Sequence, residues 1–416
     1  MNNIGNVSLK KIIDYAYREV DYYREAFDKN SININDGYKK EDLYKLPFLT
    51  KEIVQNESMR MISNEYKKYP KNQFIDIRRT SGSTGEYLKV YWDRRNDLRS
   101  MLSVWRIRKE YYSIEPDMKY CRFYTADYRG NKIVTPKEFE TNSNGRILSF
   151  YKVGLTNERL KKFYDMILSF NPDWLHLQPS MAYLLTKIVK ENNLPIPSNL
   201  KYIELSGELL LNEYRRDVSE VFNIEPVNEY GTNETNVIAI ELDDKKLHIL
   251  EDNVIVEIIK NGKPVIGEEG EICITSLFNY AMPFIRYQTG DLGIMSHYDS
   301  GDVLEVISGR TSEFIILENG EKLNSYILLG IIQYTNEYMA NAIKQFQFIQ
   351  KETNKFEVFL VLKEEYKNWS NAIKNKFLEN INEERLRNFV WEFYFVDSIF
   401  PDKDTGKTKY FKAIKV

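Results

Sequence analysis

Glycine and hydroxyl residues are concentrated in one short segment of the chain. The segment reads Thr80-Ser81-Gly82-Ser83-Thr84-Gly85 and stands shortly before an apolar run that begins at Leu88. Glycines let backbone N–H groups converge on an anion, and the hydroxyl groups add donors without charge. The segment therefore predicts a phosphate-binding loop, the alternative being an ordinary turn rich in serine and glycine. A Walker loop is excluded because Gly85 is followed by Glu86 and not by lysine.

A second segment, Gly406-Lys407-Thr408, superficially resembles the end of a Walker motif. It does not complete a Walker loop, because Pro401 stands where the first glycine is required. The lysine belongs to a short basic tail, and such tails are more often solvated termini than sites. Taken alone, the segment leaves both interpretations open.

Two further segments each place a carboxylate beside glycine and hydroxyl groups. They read Asn228-Glu229-Tyr230-Gly231-Thr232-Asn233-Glu234 and Arg286-Tyr287-Gln288-Thr289-Gly290-Asp291. Glu234 offers the oxygen ligands that Mg²⁺ prefers, and Asp291 can accept hydrogen bonds from two ribose hydroxyls. Each segment alone is more typical of a helix cap or a turn. Their order along one chain, after the phosphate-binding segment, favours a common site.

Composition excludes several classes of protein. The 416 residues include 58 Lys and Arg against 61 Asp and Glu, a net charge of −3, so nucleic acid is not the expected partner. Two cysteines and three histidines lack the spacing of a disulfide framework or a zinc hydrolase. The chain shows no apolar run of membrane-spanning length and no leader pattern, so we expect a cytoplasmic protein without a membrane span.

Hydrophobic periodicity predicts an α/β fold in two domains. We expect a large N-terminal domain with a β-rich subregion at residues 1–308, followed by a small α+β domain at residues 309–416. The first 75 residues favour helices, with Thr50 as one helix cap. The other predicted elements are helices at 160–170, 181–191 and 366–383, and strands at 174–177, 200–205, 254–259, 271–276, 356–361 and 391–396.

Together, the segments resemble the adenylate-forming superfamily of acyl-CoA synthetases, luciferases and non-ribosomal adenylation domains. The resemblance extends over roughly residues 40–410 and rests on the order and spacing of five motifs. It is strongest to the phenylacetate-CoA ligase branch and its CapK-like group. The segments that carry this likeness are Leu46-Pro47-Phe48-Leu49-Thr50-Lys51, Thr80-Ser81-Gly82-Ser83-Thr84-Gly85 and Asn279-Tyr280-Ala281-Met282-Pro283-Phe284-Ile285-Arg286-Tyr287.

The resemblance implies a role for each candidate residue. Residues 80–85 would bind phosphates, Glu234 would bind Mg²⁺, and Lys407 would be the catalytic lysine on a mobile C-terminal domain. Asp291 and Arg310 would lie at the ribose. The segments expected to border adenine are Ser206, Gly207 and Glu208, and Glu229, Tyr230, Gly231 and Thr232. Aromatic and polar residues expected near the acyl group, each with packing as the commoner role, are Tyr124, Tyr128, Trp174, His176 and Gln178.

The chemistry of adenylation fits these roles. A carboxylate that attacks the α-phosphorus of ATP brings two anions together, so Mg²⁺ and a lysine are needed to neutralise the growing charge. Pyrophosphate leaves, and the acyl-adenylate is then open to attack by a thiol or an amine. Rotation of the C-terminal domain would withdraw Lys407 and admit that nucleophile.

The chain departs from the family pattern at three places, and alternatives remain for the acceptor. Asn233 replaces the usual Thr or Ser before the metal-binding Glu, Thr311-Ser312-Glu313 replaces the pair of acids after the hinge arginine, and Tyr87 replaces a common proline. We expect an active ligase for a small-molecule carboxylic acid with coenzyme A as acceptor. The alternatives are transfer to a carrier protein or an amine, and a catalytically inactive relative that binds nucleotide or a partner protein. A kinase or GTPase is excluded because its loops are absent.

Overall fold

Helices and strands alternate along most of the chain, as the sequence predicts. The computed structural model describes residues 2–34, 39–67, 75–79, 88–124, 127–129, 132–134, 137–142, 144–152, 155–298, 301–308, 314–325, 327–381, 383–401 and 408–413. The helices are α1 (Asn2–Glu19), α2 (Asp21–Lys29), α3 (Lys51–Asn56), α4 (Ser58–Met61), α5 (Asn64–Lys67), α6 (Arg94–Ser100), α7 (Leu102–Tyr112), α8 (Asn157–Phe170), α9 (Pro179–Asn192), α10 (Asn212–Phe222), α11 (Ile327–Tyr338) and α12 (Ser370–Glu379), with 3₁₀ turns at Lys40–Lys45, Glu364–Trp369 and Glu384–Leu386.

The strands, like the helices, are numbered in chain order. They are β1 (Ile75–Arg79), β2 (Lys89–Asp93), β3 (Tyr120–Tyr124), β4 (Asp127–Arg129), β5 (Lys132–Val134), β6 (Phe139–Thr141), β7 (Ile147–Tyr151), β8 (Trp174–Leu177), β9 (Tyr202–Ser206), β10 (Val227–Thr232), β11 (Asn236–Glu241), β12 (Leu247–Ile249), β13 (Val254–Lys260), β14 (Lys263–Val265), β15 (Gly270–Ser276), β16 (Tyr287–Tyr298), β17 (Gly301–Ser308), β18 (Phe314–Ile316), β19 (Lys322–Asn324), β20 (Ile343–Glu352), β21 (Lys355–Leu362), β22 (Val390–Phe395) and β23 (Phe411–Lys412).

One large sheet carries both halves of the main body. Within the described residues it has thirteen strands in the order β14-β13-β15-β16-β17-β12-β11-β10-β9-β8-β3-β7-β6. The run from β7 through β3, β8 and β9 to β10 is parallel, and the remaining pairs are antiparallel. Because α8, α9 and α10 return the chain between successive parallel strands, the carboxyl ends of those strands meet at one edge.

The crossover helices are built on regular apolar spacing. In α8 the buried side chains are Leu160, Phe163, Tyr164 and Ile167, which recur every three or four residues and face the sheet. Thr156 caps this helix by accepting a hydrogen bond from the backbone N–H of Arg159. The predicted strand at 174–177 is confirmed at both ends, and α9 extends the predicted helix 181–191 at each end because Pro179 suits a first helical turn.

The C-terminal residues form a separate small sheet, in the order β22-β21-β20-β23, covered by α11 and α12. The predicted α/β class and the smaller α+β region are confirmed. The predicted helix at 366–383 is wrong in its limits, because it begins with a 3₁₀ turn and α12 ends at Glu379, where the Asn380 side chain binds Thr335. Residues 309–313 lie outside the described part, so the predicted boundary after residue 308 stays a prediction.

Candidate active site

The candidate site lies where β9 and β10 end. These two strands are parallel neighbours, with Glu229 opposite Ser206. Gly207 follows β9 with a φ of +79°, a conformation that L side chains rarely adopt, so glycine is required at this turn. The pairing brings together the two predicted adenine-binding segments, which the sequence separates by about twenty residues.

Tyr230 and Asp291 meet at this site. The phenolic hydroxyl of Tyr230 donates a 2.7 Å hydrogen bond to Asp291 Oδ2. Burial of the ring, followed by the Asp291 charge, raises the pKa of Tyr230 well above its ordinary value, so the hydroxyl keeps its proton. Thr289 fixes the backbone of Asp291, because its hydroxyl oxygen accepts a hydrogen bond from the Asp291 N–H. The residues predicted for adenine and ribose are therefore neighbours.

Glu234 lies in the turn between β10 and β11 and is 5% exposed. Gly231 permits this turn, because a Cβ there would lie 2.7 Å from the backbone oxygen of Asn236. The strand pairing shifts register between Tyr230 and Gly231, which is the bulge that turns the chain. The indole N–H of Trp92, in β2, donates a 2.8 Å hydrogen bond to the Asn233 carbonyl oxygen.

The β1–β2 hairpin borders the predicted phosphate loop. Arg79 pairs with Lys89, so the two ends of residues 80–88 are held side by side. Arg78 bonds both Asn236, just after the turn that carries Glu234, and Asp97. The flanks of the predicted phosphate loop are thus bonded to the turn of the predicted metal ligand. Among the predicted site residues, those outside the described residues are Thr80, Ser81, Gly82, Ser83, Thr84, Gly85, Arg310 and Lys407.

Glu208 joins the main body to the C-terminal region. Its Oε2 accepts the backbone N–H of Ser180 at 3.1 Å, in the first turn of α9, and its Oε1 accepts the backbone N–H of Thr408 at 3.2 Å. A carboxylate at a helix N-terminus is favoured by the unpaired N–H groups and the helix dipole. Since Thr408 directly follows Lys407, the predicted catalytic lysine is one residue from a contact with the predicted adenine-binding segment.

A buried charge cluster, which the sequence did not predict, lies on β9 and β10 next to the site. Arg108 in α7 donates hydrogen bonds of 2.8 and 2.5 Å to Glu204 and one of 3.5 Å to Glu229. Tyr202 donates to Glu204, and His176 Nε2 lies 2.8 Å from Ser206 Oγ. The carboxyl group of Glu229 is thus engaged by Arg108 in the buried cluster.

The two glutamates of this cluster have opposite pKa shifts. Burial alone would raise the pKa of Glu204, but the charge and hydrogen bonds of Arg108 lower it to about 2. Burial and the neighbouring Glu204 charge raise the pKa of Glu229 well above its usual range. Burial and the Glu204 charge therefore favour the protonated form of Glu229 in the folded protein. His176, Glu204 and Glu229 have ligand atoms within 4.8 Å of one another, but the guanidinium of Arg108 already supplies the cation.

One signal in the sequence points to this cluster. Glu204 interrupts the apolar strand Tyr202–Ser206, and a charged residue inside a buried strand needs a partner of opposite charge. The identity of that partner is not readable from spacing, because Arg108 is 96 residues away.

Comparison with known proteins supports one family. Residues 317–413 match the CapK C-terminal domain family. The phenylacetate-coenzyme A ligase of Thermus thermophilus is 24% identical over 328 residues, covering 74% of this chain and 70% of that protein. Among the described residues, no helix is long and apolar enough to cross a membrane.

Solved structures of ligases share the fold. A 2-hydroxyisobutyryl-CoA ligase in its postadenylation state has a TM-score of 0.74 at 14% identity, covering 98% of this chain and 88% of that one. The same ligase in its thioesterification state has a TM-score of 0.62 at 15% identity, covering 99% and 89%. The amide bond synthetase McbA from Marinactinospora thermotolerans has a TM-score of 0.52 at 14% identity, covering 80% and 67%.

The fold and these relatives define an adenylate-forming ligase. Within that superfamily the chain is similar to phenylacetate-coenzyme A ligases, and its residues 317–413 match the CapK C-terminal domain family, in agreement with the resemblance that its motifs carry. The chain is therefore an enzyme that uses ATP to activate a substrate.

Proposed function

We propose that the protein activates a small-molecule carboxylic acid as its acyl-adenylate, releases pyrophosphate, and transfers the acyl group to the thiol of coenzyme A. The observation that carries this proposal is the hydrogen bond between Glu208 and Thr408. It brings the residue after Lys407 to the sheet edge where Tyr230 and Asp291 meet.

In this proposal each predicted site residue has a defined task. Tyr230 packs on adenine, with its hydroxyl donating to Asp291, and Asp291 accepts hydrogen bonds from the ribose hydroxyls. Ser206, Gly207, Gly231 and Thr232 contribute backbone and hydroxyl groups around the base, and Arg310 approaches the ribose. Residues 80–85 bind the β- and γ-phosphates.

In the first step, adenylation, Lys407 supplies the positive charge. The substrate carboxylate attacks the α-phosphorus, and the ammonium group neutralises negative charge that grows on the phosphate oxygens. A lysine acts as a point charge, so an arginine fork would not substitute for it. Glu234 fits a magnesium ion, because it is a buried carboxylate in a turn whose following residue, Asn236, is bonded to Arg78, and carboxylate oxygens are the donors that Mg²⁺ prefers. Bound Mg²⁺ would offset the charge of the leaving pyrophosphate.

We further propose that residues 309–416 rotate between the two steps. The junction includes polar contacts: Lys344 pairs with Asp217 at 3.2 Å, and Lys187 donates to Ser398 at 2.7 Å. Such contacts exchange readily for water, unlike a large apolar interface. The higher TM-score to the postadenylation state than to the thioesterification state of one ligase supports an adenylation-type arrangement here.

Transfer to a carrier-protein thiol or to an amine is the second candidate. The similarity to McbA, an amide bond synthetase, favours keeping it. The first half-reaction is common to both candidates, and the two differ only in the acceptor that consumes the acyl-adenylate.

The test is pyrophosphate release by the purified protein with ATP and Mg²⁺ across aromatic, aliphatic and amino acids, with hydroxylamine as a trap. Lys407→Ala should abolish carboxylate-dependent release while ATP still binds, and Lys412→Ala, in the same basic tail, should retain it. Release that persists in Lys407→Ala would reject Lys407 as the catalytic lysine. Adding coenzyme A or amines to the active acid then identifies the acceptor by mass spectrometry.

A further inference from the structure

Lys152 is a buried lysine without a hydrogen-bond partner. It follows β7 at the carboxyl edge of the parallel strands, and the residue is only 1% exposed. In the described part of the chain, its Nζ atom makes no hydrogen bond. Burial lowers the pKa of this amine, and the nearby Glu208 carboxylate opposes that shift. The sequence gives no reason for a lysine here, where an apolar residue would pack without this cost.

Three other buried polar atoms lack a partner within the described residues, and they belong to residues that bond Glu208 or lie just before such a residue in the chain. Two belong to the residues whose backbone N–H groups bind Glu208, namely the hydroxyl oxygens of Ser180 and Thr408. The third is Oε1 of Gln178, the residue just before α9. Buried polar atoms are satisfied in nearly all native structures, so several unsatisfied ones around a single carboxylate require an explanation.

Glu208 cannot by itself be that explanation. Both of its oxygens already accept backbone N–H groups from two different parts of the chain. The unpartnered atoms lie at the sheet edge that also carries Tyr230, and they include donors and acceptors. A ligand that carries a polar group would satisfy them, and would also account for keeping an expensive buried amine.

We propose that Lys152, Gln178, Ser180, Thr408 and Glu208 form a polar subsite that binds a hydroxyl group of the acyl substrate. This inference rests on the proposed function and narrows its substrate to a hydroxy-carboxylic acid. Because Thr408 belongs to the C-terminal region, the subsite is complete only while that region is closed on the main body.

Charge and hydrogen-bonding capacity select a hydroxyl group. A hydroxyl accepts from the amine of Lys152 and donates to the amide oxygen of Gln178, which only accepts at that atom. A second carboxylate would add negative charge beside Glu208, and an ammonium group would repel Lys152. A neutral group that both donates and accepts hydrogen bonds fits beside Lys152 and Glu208, because it adds no charge to that pair.

The first test needs no knowledge of the acid. Lys152→Met should raise the melting temperature of the ligand-free protein by roughly 2 °C or more, because it removes an unpartnered buried amine and keeps most of the volume. Glu208 is partly exposed and retains both N–H partners. Lys344→Met is the matched control, since Lys344 has a partner in Asp217, and it should lower the melting temperature or leave it unchanged. A marked fall for Lys152→Met would mean that the amine stabilises the fold, and would overturn the proposal.

The second test measures selectivity with matched acids. The pairs are 2-hydroxyisobutyrate with isobutyrate, 4-hydroxyphenylacetate with phenylacetate, and salicylate with benzoate, scored by melting-temperature shift and by pyrophosphate release. In at least one pair, the wild-type protein should release pyrophosphate roughly tenfold faster or more with the hydroxylated acid than with its partner. Lys152→Met should lose that preference. Succinate and glycine are included as a dicarboxylate and an amino acid.

The outcomes separate the subsite from the proposed function. Suppose that none of the acids supports pyrophosphate release, while a hydroxylated acid still raises the melting temperature of the wild type more than that of Lys152→Met. That result would contradict adenylation but would support the subsite. Equal response to both members of every pair, or a preference for succinate or glycine, would overturn the hydroxyl assignment. A loss of ATP affinity in Lys152→Met, measured by calorimetry without acid, would assign the amine to the nucleotide and also overturn it.

Discussion

The hydroxyl of Tyr230, in β10, donates a 2.7 Å hydrogen bond to Asp291, in β16, although three strands separate β10 from β16 in the sheet. Neighbouring strands are about 4.8 Å apart, so four steps across a flat sheet would span roughly 19 Å. The sheet must therefore curve strongly, until its antiparallel part faces β10. This curvature brings together two residues that the sequence separates by 61 positions.

Loss of this hydrogen bond should weaken nucleotide binding without unfolding the protein. In Tyr230→Phe the ring still packs, but Asp291 loses a partner that holds it in place. A hydrogen bond to a charged group contributes about 1.5–3 kcal/mol, so we expect roughly tenfold weaker ATP binding or more by calorimetry. Tyr298→Phe, at an exposed ring, should match the wild type. Equal ATP affinity in Tyr230→Phe would separate this pair from the nucleotide site.

Removal of Arg108 should destabilise the main body strongly. Arg108→Met leaves the Glu204 carboxylate buried without a counter-charge, which costs about 3–5 kcal/mol in comparable cases. The control is Arg106→Met in the same helix, because Arg106 makes an exposed ion pair with Asp252, and such pairs contribute at most about 1 kcal/mol. Urea unfolding gives both values. Similar values for the two variants would contradict the buried cluster.

Glu229 should make stability fall as the pH rises above the ordinary pKa of a glutamate. Its pKa is raised in the folded protein by burial and by Glu204, so the native state binds a proton that the unfolded chain releases. Stability is then lost from about pH 4.5 towards the folded pKa, by at most about 1.4 kcal/mol per pH unit. Glu229→Gln mimics the protonated form and should be less sensitive to pH.

Urea unfolding at pH 5, 6, 7 and 8 measures this difference. As the pH increases, the free energy of unfolding of Glu229→Gln should rise relative to that of the wild type. The difference between Glu268→Gln and the wild type should not change with pH, because Glu268 is exposed. Glu204 acts in the opposite sense, because its lowered pKa gives stability that is lost only as the pH falls from about 4.5 to about 2. Parallel curves for Glu229→Gln and the wild type would mean that Glu229 is ionised.

Gly231→Ala should disable the turn that carries Glu234. The added Cβ would lie 2.7 Å from a backbone oxygen of Asn236, which cannot move without breaking the bulge. We expect pyrophosphate release to fall by at least about tenfold, with a lower melting temperature. Gly330→Ala is the control, because that glycine lies in α11 with open space around it. Its alanine variant should be neutral or up to about 1 kcal/mol more stable.

Local sequence patterns predicted the helices and strands. They could not predict the side-chain partners that come from distant segments of the chain. Apolar spacing was sufficient for the strand at 174–177. The order of the glycine and hydroxyl segments favoured a common site, and Tyr230 and Asp291 of those segments are in contact, whereas their roles towards a nucleotide stay predictions. The same patterns gave no sign of Lys152 or Arg108, because each residue acquires its meaning from a carboxylate that only the folded chain brings near it. Charged residues that interrupt apolar strands are the one local signal of such partners.

Glu208 should hold the C-terminal segment in the position that adenylation requires. In Glu208→Ala the backbone N–H of Thr408 loses its acceptor, so residues near Lys407 should exchange amide hydrogen faster. We expect hydrogen-exchange mass spectrometry to show the increase in peptides that cover residues 408–413, and in the first turn of α9, where Ser180 also loses its acceptor. Glu213→Ala removes a different contact across the same junction, with Asn336 at 3.5 Å, and should leave the exchange of residues 408–413 unchanged. Equal exchange in Glu208→Ala and the wild type would show that Glu208 does not hold the segment. A faster exchange in both variants would instead mean that the whole junction loosens, and that Glu208 has no special hold on the residue beside Lys407.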